Sequence, residues 1–137
     1  MSARIFSVDY YYTTVVDDPG VAFELLSQLA AQGVNLLAFT AVPAGSDEVQ
    51  FTVFPDEDAS MELTAQRCGL VLDGPHPALL IQGIDELGVF AELHQRLVQA
   101  GVHPVSTNGL ADGSGTYGYI VYLRPEQFER ATAALEV

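Results

Sequence analysis

The sequence repeats itself at a fixed distance of 68 residues. Three short motifs recur in one register without a gap: Gly20-Val21 as Gly88-Val89, Gly33-Val34 as Gly101-Val102, and Phe51-Thr52-Val53-Phe54 as Tyr119-Ile120-Val121-Tyr122. The differences 88 − 20, 101 − 33 and 119 − 51 all equal 68. Self-similarity of this kind predicts two copies of one supersecondary unit, each too small to bury a generous core alone. Any binding function is then expected in two similar sites or at the seam between the copies.

The charge balance excludes several classes of function. The chain has 137 residues and a net charge of −13, and its 5 basic residues are isolated arginines, with no lysine. Phosphate backbones and anionic membranes require clustered positive charge, so we expect neither nucleic acid nor a membrane as a partner. The absence of lysine also excludes Schiff-base chemistry and a P-loop. No apolar run reaches the roughly 20 residues of a membrane-spanning helix. The N-terminus lacks the apolar stretch of a signal peptide, which predicts a cytoplasmic protein.

Hydrophobic periodicity predicts the order βαββαβ for the first copy. An aromatic and β-branched run at 10–16 is typical of a strand, with Tyr10 and Tyr12 on one face and Tyr11 on the other. A leucine-striped helix follows and ends at Gly33. The remaining elements are predicted as strands at 34–42 and 49–53, a helix capped by Asp56 or Asp58 that runs to about Arg67, and a short strand at 70–72. We expect an antiparallel sheet with the helices on one face.

The second copy has the same order but stops short of a fourth strand. Its strands are predicted at 78–84, 102–110 and 116–123, and Pro125 begins its last helix. The missing strand leaves one sheet edge open. Either the segment 4–8 or a strand at 70–72 that crosses over can fill this edge, and the sequence does not decide between them. The predicted fold class is α+β, with two ferredoxin-like units at 1–73 and 78–137. A linker at 74–77 joins them, and a pseudo-two-fold axis relates them.

Two glycine-containing loops carry a family resemblance. In the first copy, Val16-Asp17-Asp18-Pro19-Gly20-Val21 precedes the helix and Gly33-Val34-Asn35-Leu36 follows it. The second copy has Asp85-Glu86-Leu87-Gly88-Val89 before its helix and Gly101-Val102-His103 after it. With this spacing and the duplication, most of residues 10–137 resembles stand-alone tandem ACT domains. The resemblance implies a ferredoxin-like fold, side-by-side assembly, and a small regulatory ligand, most often an amino acid, at the seam between units.

The resemblance also implies which residues bind the ligand. They form the strand–helix loop of one unit and the position after Gly-Val in its partner: Asp17, Asp18, Pro19, Gly20, Val21 and Asn35 in the first copy, and Asp85, Glu86, Leu87, Gly88, Val89 and His103 in the second. The chemistry of the loops agrees, because helix N-terminal amides favour a carboxylate and acidic side chains pair with an ammonium group. An ordinary turn with a helix cap explains the same residues without a ligand. The second copy departs further from the pattern, since Leu87 and His103 replace a proline and an asparagine.

No residue pattern indicates catalysis. The histidines His76, His94 and His103 lack metal-ligand spacing, and no nucleophile elbow is present. Cys68 is expected to be a small buried hydrophobe. We therefore expect neither a metal nor a cofactor, and we predict a non-catalytic amino-acid-binding regulator that forms at least a homodimer. The alternatives are an interaction module without a ligand and a small ferredoxin-like enzyme.

Overall fold

The computed structural model describes residues 3–56 and 60–136. Over these residues the chain forms six β-strands, four α-helices and one short 3₁₀ helix. They are β1 (Ala3–Val16), α1 (Pro19–Ala31), β2 (Leu36–Pro43), β3 (Glu48–Pro55), α2 (Met61–Cys68), β4 (Asp73–Ile84), α3 (Val89–Gln99), β5 (Ser106–Ala111), β6 (Thr116–Tyr122), a 3₁₀ helix (Pro125–Gln127) and α4 (Phe128–Leu135). The chain divides into two compact units. The first unit is Asp9–His76, and the second combines the residues up to Val8 with those from Pro77 onward.

The first unit contains a four-stranded antiparallel arrangement in the order β2-β3-β1-β4. Tyr11 of β1 lies opposite Val53 of β3, and Phe39 of β2 lies opposite the same residue from the other side. This is the strand order of a ferredoxin-like βαββαβ unit. The predicted order of elements in the first copy is therefore confirmed.

The second unit has the equivalent order β5-β6-β4-β1. Leu79 of β4 pairs with Val121 of β6, 68 residues after the equivalent Tyr11–Val53 pair. The fourth place is taken by the part of β1 that ends at Val8, and Ile5 packs against the core of this unit. Of the two alternatives that the sequence left open, the N-terminal segment is the one that completes the sheet.

The region between the copies differs from the prediction. Leu70–Leu72 is not a strand, and the stretch Asp73–Pro77, predicted to include a linker, lies in β4. Glycine and proline normally indicate a turn, but here the long strand β1 offers an extended partner along its whole length. Tertiary pairing therefore overrides the local turn chemistry, and proline is tolerated because it lies near the start of β4.

Three other element boundaries in the structure differ from the predicted ones. The strands predicted from Val34 and Val102 begin later, at Leu36 and Ser106. Ser60, rather than Asp56, lies at the N-cap of α2, and Asp58 lies outside the described residues. The Asp56 amide instead donates to the carbonyl oxygen of Asn35 at 2.8 Å. The helix ends agree better, because Gly33 and Gly101 adopt the left-handed conformation that ends α1 and α3.

Each unit has its own hydrophobic core, and the two cores use equivalent positions. In the first unit the core contains Leu25, Leu29, Val34, Phe51, Val53 and Met61. The second contains Leu93, Leu97, Val102, Tyr119 and Val121 among others, and these five lie 68 residues after the first five. Each fully buried leucine contributes roughly 1.5–3 kcal/mol to the burial free energy. The repeat in the sequence is thus a repeat of core positions, with the helices packed on one face of each unit's strands.

Candidate functional site

The loop before α1 caps its own helix. Asp18 is the N-cap residue, and its Oδ1 atom accepts a hydrogen bond from the Gly20 amide at 2.8 Å. The Asp17 amide donates to the carbonyl of Asp47 at 2.8 Å. The Asp18 carboxylate therefore already occupies the place where a ligand carboxylate would meet the first amides of α1.

The loop before α3 leaves its helix without a side-chain cap. The N-cap residue is Gly88, whose φ of 81° is left-handed and which has no side chain to accept a hydrogen bond. The Val89 amide donates to the Glu86 carbonyl at 3.1 Å. The residues from Asp85 to Ala91 line a cavity of about 490 Å³ beside this terminus. Open amides, the positive end of the helix dipole and an adjacent cavity are a combination that suits an anion.

Proline explains why the two loops differ. Pro19 is the first residue of α1, and its fixed φ starts that helix early, so Gly20 lies inside the first turn. Leu87 occupies the equivalent position in the second unit and is fully exposed. Without a proline there, α3 begins at Val89, and Gly88 falls outside the helix. The same sequence motif thus gives one capped and one uncapped helix terminus.

The two halves of each predicted site lie at opposite ends of a helix. The loop at Asp17 precedes α1 and Asn35 follows it, and a helix of 13 residues is roughly 20 Å long. His103 is separated from the loop at Gly88 in the same way by α3. Within one unit the structure therefore does not bring Asn35 or His103 to the loop of its own copy.

A polar cluster that the sequence analysis missed lies on the first unit. Asp73 accepts hydrogen bonds from the Tyr12 hydroxyl and from Nε2 of His76, the latter at 2.9 Å. The His76 ring stacks on Tyr12 with a centroid distance of 5.4 Å and lies 5.3 Å from Tyr10. Two rings of the Tyr10–Tyr12 run thus share one face, as predicted. The cluster was missed because Asp73 and His76 were interpreted as linker residues.

Hydrogen bonding shifts the acidity of this cluster in a consistent direction. The hydrogen bond from Tyr12 holds the pKa of Asp73 below its ordinary value, and the bond from His76 adds to the effect. The same Tyr12–Asp73 hydrogen bond raises the pKa of the Tyr12 hydroxyl. Asp73 is exposed and Tyr12 is half-buried. The cluster borders a cavity of about 530 Å³ lined by residues 12–14 and 71–74.

The remaining chemical candidates fit no reactive site. Cys68 is half-buried on α2, with its Sγ atom 4.0 Å from the Gln28 carbonyl oxygen. Within residues 3–56 and 60–136, no group of three or more histidine, cysteine, aspartate and glutamate side chains is placed to hold a metal ion. Among the helices that the structure describes, none is long and apolar enough to cross a membrane.

The fold has clear counterparts among solved structures. Protein BT0572 from Bacteroides thetaiotaomicron superimposes with a TM-score of 0.81 at 14% identity, covering 96% of this chain and 88% of that one. The regulatory subunit of aspartate kinase from Thermus thermophilus, in a ligand-free form, gives 0.68 at 16% identity, with 97% and 93% coverage. The fold is ACT-like. The Thermus flavus subunit agrees, with a TM-score of 0.65, 16% identity and coverage of 98% and 95%.

Comparison by sequence alone does not identify these structural neighbours. No family model matches the chain, and no curated protein is significantly similar to it. The structural neighbours named above share the fold at identities of 14–16%. The chain nevertheless spans nearly the whole length of the aspartate kinase regulatory subunits.

Proposed function

We propose that this protein is a non-catalytic, cytoplasmic regulatory module of the ACT type that binds a small amino-acid ligand. The start of α3 carries the proposal, because an uncapped helix terminus and a cavity of about 490 Å³ coincide there. The aspartate kinase neighbours are regulatory subunits or domains. Their role supports the same class of role for this chain.

The chemistry of the second loop favours a zwitterion. A ligand carboxylate would accept hydrogen bonds from the first free amides of α3, where the helix dipole is positive. Asp85 and Glu86 line the same cavity and would pair with an ammonium group. A free amino acid carries both charges and is neutral overall, so the protein's net charge of −13 does not repel it. We therefore place the ligand first at Asp85–Val89.

The loop Asp17–Val21 is the second candidate. A ligand carboxylate there has to displace the Asp18 carboxylate from the Gly20 amide, which costs one charge-assisted hydrogen bond. We therefore expect weaker binding at this loop than at the second one. Asn35 and His103 enter such sites only from another unit, since each lies at the far end of its own helix. This requirement supports assembly into at least a homodimer.

An interaction module without a ligand is the alternative that a specific observation favours. The outermost strand of the first unit, β2, exposes Leu37, Phe39 and Val42, each by about half of its surface. An apolar edge strand of this kind is suited to pairing with another polypeptide. On this alternative the cavity at α3 stays empty and the edge strand carries the function.

The test is a thermal-shift screen against the twenty amino acids, followed by calorimetry. Saturation at about 100 times Kd should stabilise the fold by about 2.7 kcal/mol and raise Tm by several degrees. Gly88→Asp places a carboxylate at the cap of α3 and should abolish the shift. Gly88→Asn offers the same amides a neutral cap and should reduce the shift less than Gly88→Asp, because it does not repel the ligand carboxylate. A Cβ at residue 88 meets nothing within 4 Å, and both residues tolerate the left-handed conformation. A wild-type protein that no amino acid stabilises would favour the interaction module.

A further inference from the structure

A second cavity lies in the second unit, where β4 ends and β6 begins. It has a volume of about 480 Å³ and is lined by Arg4, Gln82, Gly83, Ile84, Thr116 and Tyr117. The side chains of a strand alternate between its two faces. Ile81 and Tyr117 point into the core, so Gln82 and Thr116 lie on the opposite face. This cavity is therefore separate from the one at the start of α3, which residues 85–91 line.

Gly118 lies on the same sheet face as Gln82 and Thr116 and is next to both of them. It lies directly opposite Gln82 in the register of β4 and β6. A Cβ atom on Gly118 would meet nothing within 4 Å, so no neighbouring side chain fills the space above it. The glycine does not have a positive φ, and the backbone therefore does not require it. The open space is a property of this position and not of a strained turn.

Arg4 supplies a positive charge that is accessible and oriented. Its guanidinium carbon lies 5.6 Å from the centroid of the Phe6 ring, a cation–π contact that holds the side chain along the strand. Arg4 is exposed. It forms no ion pair with any residue in the part of the chain that the structure describes. A planar guanidinium with free donors matches the geometry of a carboxylate.

The equivalent positions of the first unit do not reproduce this arrangement. Residues 68 positions before Thr116, Gln82 and Gly118 are Glu48, Thr14 and Gln50. The glycine is thus replaced by a longer side chain, and the threonine by a carboxylate that repels anions. The cavity in the first unit that borders β1 and β4 contains Asp73 instead of an arginine. A general feature of the fold would appear in both copies, so the Arg4 cavity is specific to the second.

We propose that the Arg4 cavity is a binding site for a small monocarboxylate. The Arg4 guanidinium donates to the carboxylate, and the Gln82 amide and the Thr116 hydroxyl provide further donors beside the open position at Gly118. Asp85 and Glu86 directly follow Ile84 in the sequence. Their negative charge opposes a multiply charged anion such as phosphate more strongly than a single carboxylate. The proposal does not rest on ligand binding at α3.

The test is an NMR titration of the full chain with acetate and, separately, with inorganic phosphate. Acetate should cause saturable shifts at the Arg4 side chain and at the amides of Gln82, Thr116 and Gly118. Phosphate should bind more weakly. Arg4→Gln should weaken acetate binding by about 10- to 100-fold, the value of a hydrogen bond to a charged group. Arg124→Gln, which removes a different arginine of the same unit, should leave it unchanged.

Two further variants separate this site from its neighbours. Gly118→Val places a side chain beside Gln82 and Thr116 and should abolish the shifts, while Gly88→Asp should leave them intact. The proposal is overturned if Arg124→Gln weakens binding as much as Arg4→Gln, which would indicate general surface charge. It is also overturned if phosphate binds more tightly than acetate, or if the acetate shifts centre on residues 85–91. The amide spectrum of each variant shows directly whether it has folded.

Discussion

The ring of Phe90 on α3 fills the space that a side chain of Gly109 on β5 would occupy. A Cβ atom built on Gly109 would lie 3.0 Å from the Cε1 and Cζ atoms of Phe90. The same ring stacks on Tyr119 with a centroid distance of 5.7 Å and meets Tyr117 edge-on at 5.8 Å. The ring has aromatic neighbours that fix its position, so it cannot simply move away from a new side chain.

Gly109→Val should therefore lower the free energy of unfolding by about 1–3 kcal/mol, the usual cost of overpacking. Urea unfolding measures the change. Gly118→Val is the matched control, because it also places valine in a β-strand but meets nothing within 4 Å of its Cβ. We expect the control to stay within about 0.5 kcal/mol of the wild type. Equal losses in the two variants would contradict a specific contact between Phe90 and residue 109.

Asp18→Ala should lower the free energy of unfolding by about 1 kcal/mol, because it removes the N-cap of α1. The carboxylate accepts the only side-chain hydrogen bond recorded at the start of this helix among the described residues. Asp17→Ala removes the same charge one residue earlier but leaves the cap in place, so it serves as the control. Chemical denaturation of both variants under one set of conditions gives the comparison. The cap assignment is wrong if Asp17→Ala costs as much as Asp18→Ala.

Tyr12→Phe should move the pKa of Asp73 upward, towards its ordinary value of 3.8, because it removes the largest cause of the lowering. A carboxyl whose folded pKa is depressed stabilises the protein above its unfolded pKa and loses this contribution as the pH falls through the folded value. The wild type should thus exceed the variant in stability above pH 3.8, and the difference should shrink at lower pH. Carboxyl carbon NMR follows the titration. Asp112, whose pKa is lowered mainly by Ser114, is the internal control and should not change.

Ile5→Asp should loosen the second unit more than the first. Ile5 packs against the core that contains Leu97 and Ala131, and an unpaired carboxylate there is costly. Hydrogen exchange should accelerate in Pro77–Ile84 and α4, with smaller changes at Leu25 and Leu29. Ser7→Asp introduces the same charge at an exposed position of the same strand and should have little effect. Equal acceleration in both units would argue against residues 3–8 belonging to the second unit.

The sequence predicted the elements well where the signal is local. Leucine spacing in α1, left-handed glycines after α1 and α3, and alternation in β3 all report the conformation of their own segment. The strand pairing of β1 has no local signal of this kind. Nothing within residues 4–8 tells which sheet edge they join, and the Gly-Pro chemistry at 74–77 indicated a turn where a long-range strand pairing formed.

The candidate sites also divide into those with a local sequence signal and those that depend on long-range strand pairing. The loops at Gly20 and Gly88 were found because they repeat, yet their different caps depend on whether Pro19 or Leu87 precedes the glycine. The Arg4 cavity was not found, because Arg4, Gln82 and Gly118 lie far apart in the sequence and meet only through strand pairing. A clue was nevertheless present, since the glycine at 118 has a glutamine at its repeat position. The repeated positions thus indicate packing, and the break at Gly118 marks the position next to the proposed Arg4 site.

Because β1 contributes residues to both units, its two parts find their partners at different times during synthesis. The partners of residues 9–16 have all been made once His76 has left the ribosome. Residues 3–8 must wait for the part of β4 that follows His76, although they are made earlier. Their pairing closes a long loop and is therefore expected to be slow. Until then this strand segment is available to the second unit of another chain, which makes exchange of the N-terminal segment between copies the characteristic misassembly of this topology.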